Sequence, residues 1–439
     1  MTVKSSGPVI SQLDSTELVN ANAIALYQTG VEMLDLWHLP EAVHVFELIV
    51  RDDPSHLQAR LRLVEAYAHP MIRKERRARE SWSVARRVAI RAGYDTLLVA
   101  AFGSLFVEDD PLKAIDEFRT IMEKDPQSES ARFLLAQSLL AARQPRRAEA
   151  ILTEMLDADP SQGRVREMLV RCSAALGKLP EAESRSRELA SLYTSEPYPY
   201  VLLSRVLLLE GKIEEAAEFG NNALVIDEKY IPAILGRAHV YIAENELMAA
   251  RVSFEKLLLF GDSMLSSAGM EGISYVGFLS GQFDEASDYM DDAIRLAMSA
   301  GSTRQGLRHA FRLVGYLCEL GRTDAAASVV DRWIQRHGEI PASLGQLRVR
   351  ISMGQSQRAR QALNQIKDNQ KWRYWMRSLE LDYNAFKALT FIHDENFDRA
   401  QDILNIPVVV GLHARRSYLK GFVAFQRGEA EEAAGFFGE

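Results

Sequence analysis

The chain has 439 residues, of which 47% are hydrophobic and 26% charged, and its formal net charge is −8. This acidic balance argues against a general nucleic-acid binder, because such a protein needs an extended basic surface. The two cysteines, Cys172 and Cys318, form no C-x-x-C pair, so neither a disulfide framework nor a zinc site is expected. The composition fits a reducing compartment.

The segment 1–22 is a polar lead-in that we expect to be mobile. It lacks the apolar stretch of a signal peptide, and no run in the chain approaches the roughly 18 apolar residues that a membrane span needs. We therefore expect a cytoplasmic protein that contacts neither a membrane nor nucleic acid.

From position 23 onward, a Gly is repeatedly followed five positions later by a small residue. The clearest copies are GKLPEA (177–182), GKIEEA (211–216), GQFDEA (281–286), GRTDAA (321–326), GQSQRA (354–359) and GEAEEA (428–433). The small residue recurs at nearly constant intervals, and those between Ala114 and Ala250 are equal. It is found at Ala42, Ala78, Ala114, Ala148, Ala182, Ala216, Ala250, Ala286, Ala326, Ala359, Ala400 and Ala433. A period of roughly 34 residues is typical of stacked helix pairs.

Each period has helical apolar spacing, as the unit 197–231 shows. Its first helix carries a stripe of large residues, a turn follows at Gly211, and its second helix carries small residues beginning with Ala216. Large residues that face small ones allow two antiparallel helices to pack closely. We expect Gly211 to end the first helix in the left-handed conformation.

The same template fits the units 23–56, 95–128 and 129–162, each of which ends in an Asp-Pro pair, at 53–54, 125–126 and 159–160. The residue before a proline disfavours helix, so each pair should end a helix. With this spacing and these residue sizes, the sequence resembles the tetratricopeptide repeat family at every diagnostic position except the leading Trp. The resemblance covers about residues 23 to 439. It implies an all-α fold, a right-handed α-solenoid superhelix of stacked antiparallel helix pairs.

We expect residues 23–439 to form one continuous array of about twelve units, of which the last is incomplete. Longer intervals indicate irregular joints near 298–307 and 368–383. Since no polar capping helix follows the last unit, we expect either a longer natural chain or a partner that covers this end.

Motifs of the common catalytic classes are missing from the sequence. It contains no P-loop, no dinucleotide-binding fingerprint, no H-E-x-x-H and no G-x-S-x-G. The nine histidines are scattered without the spacing of metal ligands. We therefore expect no enzyme, no cofactor and no metal site within these residues.

The side of each first helix that does not pack into the stack is the candidate binding surface. Positions 2, 5, 9 and 12 of a unit face this side at helical spacing. The resemblance implies that such a side lines a concave groove for a peptide or helix of a partner. We expect an acidic, partly apolar segment there, because Arg forms forked contacts with carboxylates. The candidate groove residues are Phe133, Gln137, Arg171, Val201, Arg205, Leu235, His239 and Tyr275. The alternative is that they are ordinary exposed side chains, some of them paired with Glu167.

A second candidate surface is the basic stretch 73–91, which carries a local charge of +6 in an acidic chain. An acidic protein surface is the partner that such a cluster would fit. The alternative is a solvated helix face whose Arg stems cover apolar neighbours. The candidate residues are Arg73, Lys74, Arg76, Arg77 and Arg79.

These observations predict a non-catalytic protein–protein interaction scaffold that binds a partner segment in its groove. The alternative is a sensory or autoinhibitory arm of a larger signalling enzyme whose catalytic domain lies outside these residues. A catalytic signature elsewhere in the reading frame would favour the second. The sequence leaves the oligomeric state and the partner open.

Overall fold

The computed structural model describes residues 21–367, 375–376, 379, 381–405 and 413–438. In these ranges all regular structure is helical. The helices form two compact units, which meet in sequence between Leu257 and Leu258. The predicted fold class, an all-α solenoid of stacked antiparallel helix pairs, is confirmed.

The first unit consists of seven consecutive helix pairs. The first helix of the third pair continues as a π-helical turn, Gly103–Val107. A 3₁₀ segment, Lys256–Phe260, follows the seventh pair and contains the boundary between the two units. The helices are α1 (Ala21–Asp35), α2 (Leu39–Asp52), α3 (Leu57–Ala68), α4 (Glu75–Ala92), α5 (Leu97–Phe102), α6 (Pro111–Lys124), α7 (Glu129–Ala141), α8 (Pro145–Ala158), α9 (Gly163–Ala175), α10 (Leu179–Leu192), α11 (Pro197–Leu209), α12 (Ile213–Ile226), α13 (Ile231–Ala243) and α14 (Leu247–Glu255).

The second unit continues the same alternation. A π-helical turn, Val330–Ile334, and a 3₁₀ turn, Gln335–His337, extend its fourth helix. The helices are α15 (Ser263–Leu279), α16 (Phe283–Ser299), α17 (Thr303–Glu319), α18 (Thr323–Val329), α19 (Glu339–Ser352), α20 (Ser356–Lys367), α21 (Tyr383–Ile392), α22 (Phe397–Leu404), α23 (His413–Gln426) and α24 (Ala430–Gly438).

One left-handed residue separates the two helices of every pair, five positions before the recurrent alanine. Six of these residues are the predicted glycines, such as Gly211 with φ 74°. In the turn before α12, the amide of Lys212 bonds back to the carbonyl of Leu207 at 2.9 Å, which satisfies a carbonyl at the end of the first helix. The other six positions carry residues with a side chain: Trp37, Arg73, Asp109, Arg143, Asn245 and Glu395.

The recurrent alanines are the contact points between paired helices. All twelve are at most 2% exposed. In the sixth pair, the Ser204 hydroxyl on α11 donates to the carbonyl of Ala216 on α12 at 2.6 Å. Ser274 makes the same contact with Ala286 at 2.6 Å in the second unit. A small residue therefore lets the helices approach closely enough for a side chain to bond the facing backbone.

The Asp-Pro pairs end helices as predicted. Asp53, Asp125 and Asp159 follow the last turn of α2, α6 and α8, with φ of −125°, −133° and −141°. The carboxylates of Asp53 and Asp159 also accept the amide of the residue two positions later at 2.9 Å. Such Asx turns carry the chain into the next pair.

The structure describes the first of the two predicted irregular joints and only part of the second. Around 298–307, α16 and α17 are 17 residues each and are joined by residues 300–302. Most of the joint predicted at 368–383 lies outside the described residues, as do residues 1–20 of the predicted lead-in.

Candidate functional site

The candidate surface of the first unit lies on the first helices of its fourth to seventh pairs. We call groove face the side of α7, α9, α11 and α13 that carries positions 2, 5 and 9. Position 9 recurs once per repeat, as Gln137, Arg171, Arg205 and His239. The same rotation of each helix brings these side chains to one side of the stack.

The predicted groove residues differ in accessibility. Arg171, Arg205 and His239 are exposed, and Gln137 and Leu235 are half-buried. Phe133 and Val201 are only 7% and 2% exposed, so they offer little surface to a ligand. Tyr275 is 38% exposed and belongs to the second unit.

The three exposed side chains of the groove face differ in their partners. The Arg171 guanidinium lies 3.6 Å from the Glu167 carboxylate on the same helix, and its side chain is still 46% exposed. Arg205 makes no ion pair with any residue that the structure describes. The His239 ring packs edge-on against Phe254, with 6.0 Å between the ring centroids.

The turn between α1 and α2 covers part of the groove face. The Trp37 indole Nε1 donates to Glu167 Oε2 at 2.8 Å, although the two residues are 130 positions apart in sequence. Its ring stacks on Tyr198 at 5.2 Å and meets Tyr193 edge-on at 5.5 Å. Trp37 is 3% exposed, and the Tyr198 hydroxyl donates to the other Glu167 oxygen at 2.9 Å. Both carboxylate oxygens of a buried glutamate are thereby satisfied.

A buried charge network joins α1 and α3 to α9. Arg164 Nη2 lies 2.5 Å from Glu65 Oε1, and Arg62 Nη1 lies 2.8 Å from Glu65 Oε2. Arg164 also lies 3.8 Å from Asp35 and 4.9 Å above the Phe133 ring. Burial alone would raise the pKa of Glu65, but Arg164 and Arg62 lower it to about 2.

Two histidines sit at the edge of these contacts. His38 Nε2 lies 2.6 Å from Glu196 Oε2, beside the Trp37 turn. Burial lowers the pKa of His69 to about 4, against a smaller opposing effect of Glu167. His69 is therefore neutral near pH 7. Burial, together with Glu167, raises the pKa of the Tyr198 hydroxyl, which stays protonated as a donor.

The residues of these long-range contacts were missed by the sequence reasoning. Arg164 and Tyr198 occupy position 2 of their units, a position predicted to face the groove. Trp37 occupies the turn position that is Gly in the clearest repeats. That departure from the pattern was the available signal. No sequence signal predicted that Trp37 would contact α9 and α11, because this contact depends on how several units stack.

The predicted basic patch lies around the start of α4, and three of its five side chains contact other parts of the protein. Arg76 pairs with Glu80 at 3.0 Å, and Arg77 pairs with Glu47 at 2.7 Å. Arg73 donates to the carbonyl of Pro70 at 2.6 Å. Arg79 is exposed, and Lys74 precedes the first residue of α4.

Two further kinds of site are absent from the described part of the chain. Among the described residues, His, Cys, Asp and Glu nowhere gather in a set of three or more that could hold a metal ion. No helix in the ranges given above is both long and apolar enough to cross a membrane.

Antiparallel helix pairs, each with a left-handed turn and a buried alanine, define a helical-repeat protein. The family model of the tetratricopeptide repeat matches residues 105–155 and 139–192. Residues 105–192 are thus similar to tetratricopeptide repeats. No curated protein matches it in sequence.

Solved structures with a similar arrangement include three of note. The Cut9–Hcn1 hetero-tetramer of the APC/C is 14% identical over 94% of this chain and 75% of that chain, with a TM-score of 0.42. A tetratricopeptide repeat protein from Parabacteroides merdae is 13% identical over 72% and 98%, with a TM-score of 0.35. A thermophilic protein of the same kind from Thermus thermophilus is 20% identical over 40% and 97%, with a TM-score of 0.35.

Proposed function

We propose that the chain is a non-catalytic interaction scaffold and that the groove face of its first unit binds an acidic, partly apolar segment of a partner protein. The family is generally one of protein-interaction scaffolds. The observation that carries the proposal is the exposed row Arg171, Arg205 and His239, one residue per repeat. A row with this regular spacing follows the axis along which an extended segment or a helix would lie.

The chemistry of the row favours carboxylates. Arg205 is a cation without an acidic partner among the described residues, and Arg171 keeps nearly half of its side chain in solvent. A guanidinium donates two parallel hydrogen bonds to a carboxylate, which adds direction to the charge attraction. The amide oxygen of Gln137 is buried and accepts no hydrogen bond within the described residues, so it is available to a backbone amide of the partner. Half-buried Leu235 supplies an apolar contact beside the row.

The test is a double charge reversal, Arg171→Glu with Arg205→Glu, in affinity capture from the native cell. The matched control is Arg146→Glu with Lys229→Glu, which changes the net charge equally at exposed positions outside the groove face. We expect the groove variant to lose a partner that the control and the wild type retain, and we expect raised salt to weaken that binding. Identical capture by all three proteins would rule out the groove face as the binding surface.

A further inference from the structure

We propose that the groove face recognises an aspartate–X–tryptophan segment, and that the chain's own Asp35-Leu36-Trp37 occupies this site in cis. The inference rests on the proposed function, because it names the side chains of the partner segment. It also names what blocks the site, namely the chain's own α1–α2 turn. A partner segment with an aspartate and a tryptophan at the same spacing would bind once the α1–α2 turn is displaced from the site.

The contacts of Trp37 have the character of a recognition site for an indole. The indole N–H donates to the buried carboxylate of Glu167 at 2.8 Å. Tyr198 stacks on the indole ring, and Tyr193 packs against it edge-on. A phenyl ring would fill the space but would leave one oxygen of Glu167 without this donor. Burying a carboxylate without its donor is unfavourable, so the site discriminates in favour of tryptophan.

The backbone of Trp37 is an independent sign of a special role. Its φ is 60°, in the left-handed region that bulky residues rarely adopt. At the equivalent turn the other units carry glycine, a charged residue or asparagine, and Trp37 is the only aromatic residue among the described turns. Such a conformation persists where the surrounding contacts hold it. The inserted indole supplies those contacts.

An acidic group precedes the indole at a fixed distance along the chain. The Asp35 carboxylate lies 3.8 Å from Arg164, whose guanidinium also holds Glu65. The cis segment therefore presents a carboxylate and an indole, two positions apart, to a cation and a carboxylate on α9. This is the acidic and partly apolar chemistry that we propose for the partner.

The cis segment and a partner segment of this kind use the same atoms, so they exclude each other. The apparent affinity for the partner is reduced by the fraction of molecules in which the turn is displaced. Removing the indole from the cis segment should raise that fraction and expose Glu167 and Tyr198 to a segment supplied in trans.

The probe is a fluorescein-labelled peptide with the sequence of residues 31–42, VEMLDLWHLPEA, measured by fluorescence anisotropy with the full chain. We expect the Trp37→Ala variant to bind it at least tenfold more tightly than the wild type does. Adding Glu167→Gln to that variant, or replacing the Asp or the Trp of the peptide, should reverse the gain.

The matched control is Trp333→Ala in the second unit. The Trp333 indole also donates to a carboxylate, that of Asp291, at 2.9 Å. This control should bind the peptide no better than the wild type. If circular dichroism shows that Trp37→Ala does not fold, Trp37→Phe takes its place: it keeps an aromatic ring in the site but loses the donor to Glu167, so it should bind the peptide more tightly than the wild type but by less than tenfold.

Equal binding of the peptide to the wild type and the opened variant, or binding to neither, would overturn the proposal. So would tighter binding that persists after Glu167→Gln. The failure of the proposed function gives a different result: the peptide would bind the opened chain through Glu167, while the charge reversal at Arg171 and Arg205 would leave cellular capture unchanged.

Discussion

At the scale of single residues, the turn between paired helices is the most regular feature of the chain. Every turn places one residue at φ between 50° and 80°, whether or not that residue is glycine. An L side chain in this conformation meets the adjacent carbonyl, at a cost of about 1–2 kcal/mol. Six of the twelve described units carry this cost, and at Trp37 a set of buried contacts offsets it.

A reciprocal pair of substitutions tests this cost. Gly211→Ala should lower the free energy of unfolding by about 1 kcal/mol, because the Gly211 φ of 74° is open to glycine and strained for alanine. Arg143→Gly, at a φ of 60°, should be neutral or stabilising by a similar amount, apart from the contacts of its side chain. Urea denaturation followed by circular dichroism measures both. A stabilising Gly211→Ala would contradict the interpretation.

His69 predicts a pH dependence for the first unit. Its folded pKa is about 4, below the ordinary value of 6.5, so the unfolded chain binds the proton more readily between these values. The stability associated with neutral His69 is fully present above pH 6.5 and is lost as the pH falls toward 4. The urea midpoint should decrease over this range, and His69→Gln should flatten the decrease. A slope that His69→Gln leaves unchanged would assign the effect to other groups.

At the scale of elements, the helix pair is what the sequence predicts well. Helix ends at Asp53, Asp125 and Asp159, the six glycine turns and the buried alanines all follow from local rules. Apolar spacing, proline and glycine act over a few residues, so a single unit contains enough information. The π-helical turn Gly103–Val107 was not predicted, since it depends on how the helix meets its neighbours, including Trp82 beside Gly103.

Overpacking the contact between paired helices should be costly. Ala216 is 0% exposed, and its carbonyl accepts the Ser204 hydroxyl at 2.6 Å, so Ala216→Leu has no room between α11 and α12. We expect a loss of about 1–3 kcal/mol in the free energy of unfolding. Ala158→Leu, the same change at an exposed helix end, should alter stability little. If both substitutions changed the free energy of unfolding equally, the close packing of α11 against α12 at Ala216 would not be the cause of the loss.

At the scale of the whole molecule, the chain comprises two units, and the first has side-chain contacts between repeats that are far apart in sequence. An array of repeats is stabilised mainly by contacts between neighbours. The first unit adds contacts between distant repeats, from Trp37 to Glu167 and from Glu65 to Arg164, which are 130 and 99 residues apart in sequence. Such contacts depend on small rotations summed over several units. No local pattern encodes that sum, which is why the sequence predicted a groove and did not predict its covering.

Breaking the buried network should release the first three helices. Glu65→Gln leaves the buried cations Arg62 and Arg164 without their shared carboxylate, a change that costs about 3–5 kcal/mol in buried pairs. Hydrogen exchange should then accelerate in α1–α3 and α9. Glu183→Gln removes an ion pair within α10, to Arg187, and one to Lys212 of the next repeat, so it should leave exchange in α1–α3 as in the wild type. Slow exchange in α1–α3 of the Glu65→Gln variant would show that the network does not hold them.

The Trp37 contact also has a mechanical consequence. A plain row of repeats, stretched by force applied at its two ends, lengthens through a succession of small yields. In the first unit, tension on α1 must first extract an indole that is hydrogen-bonded and stacked within α9–α11. Under load this segment should hold its length and then give way abruptly.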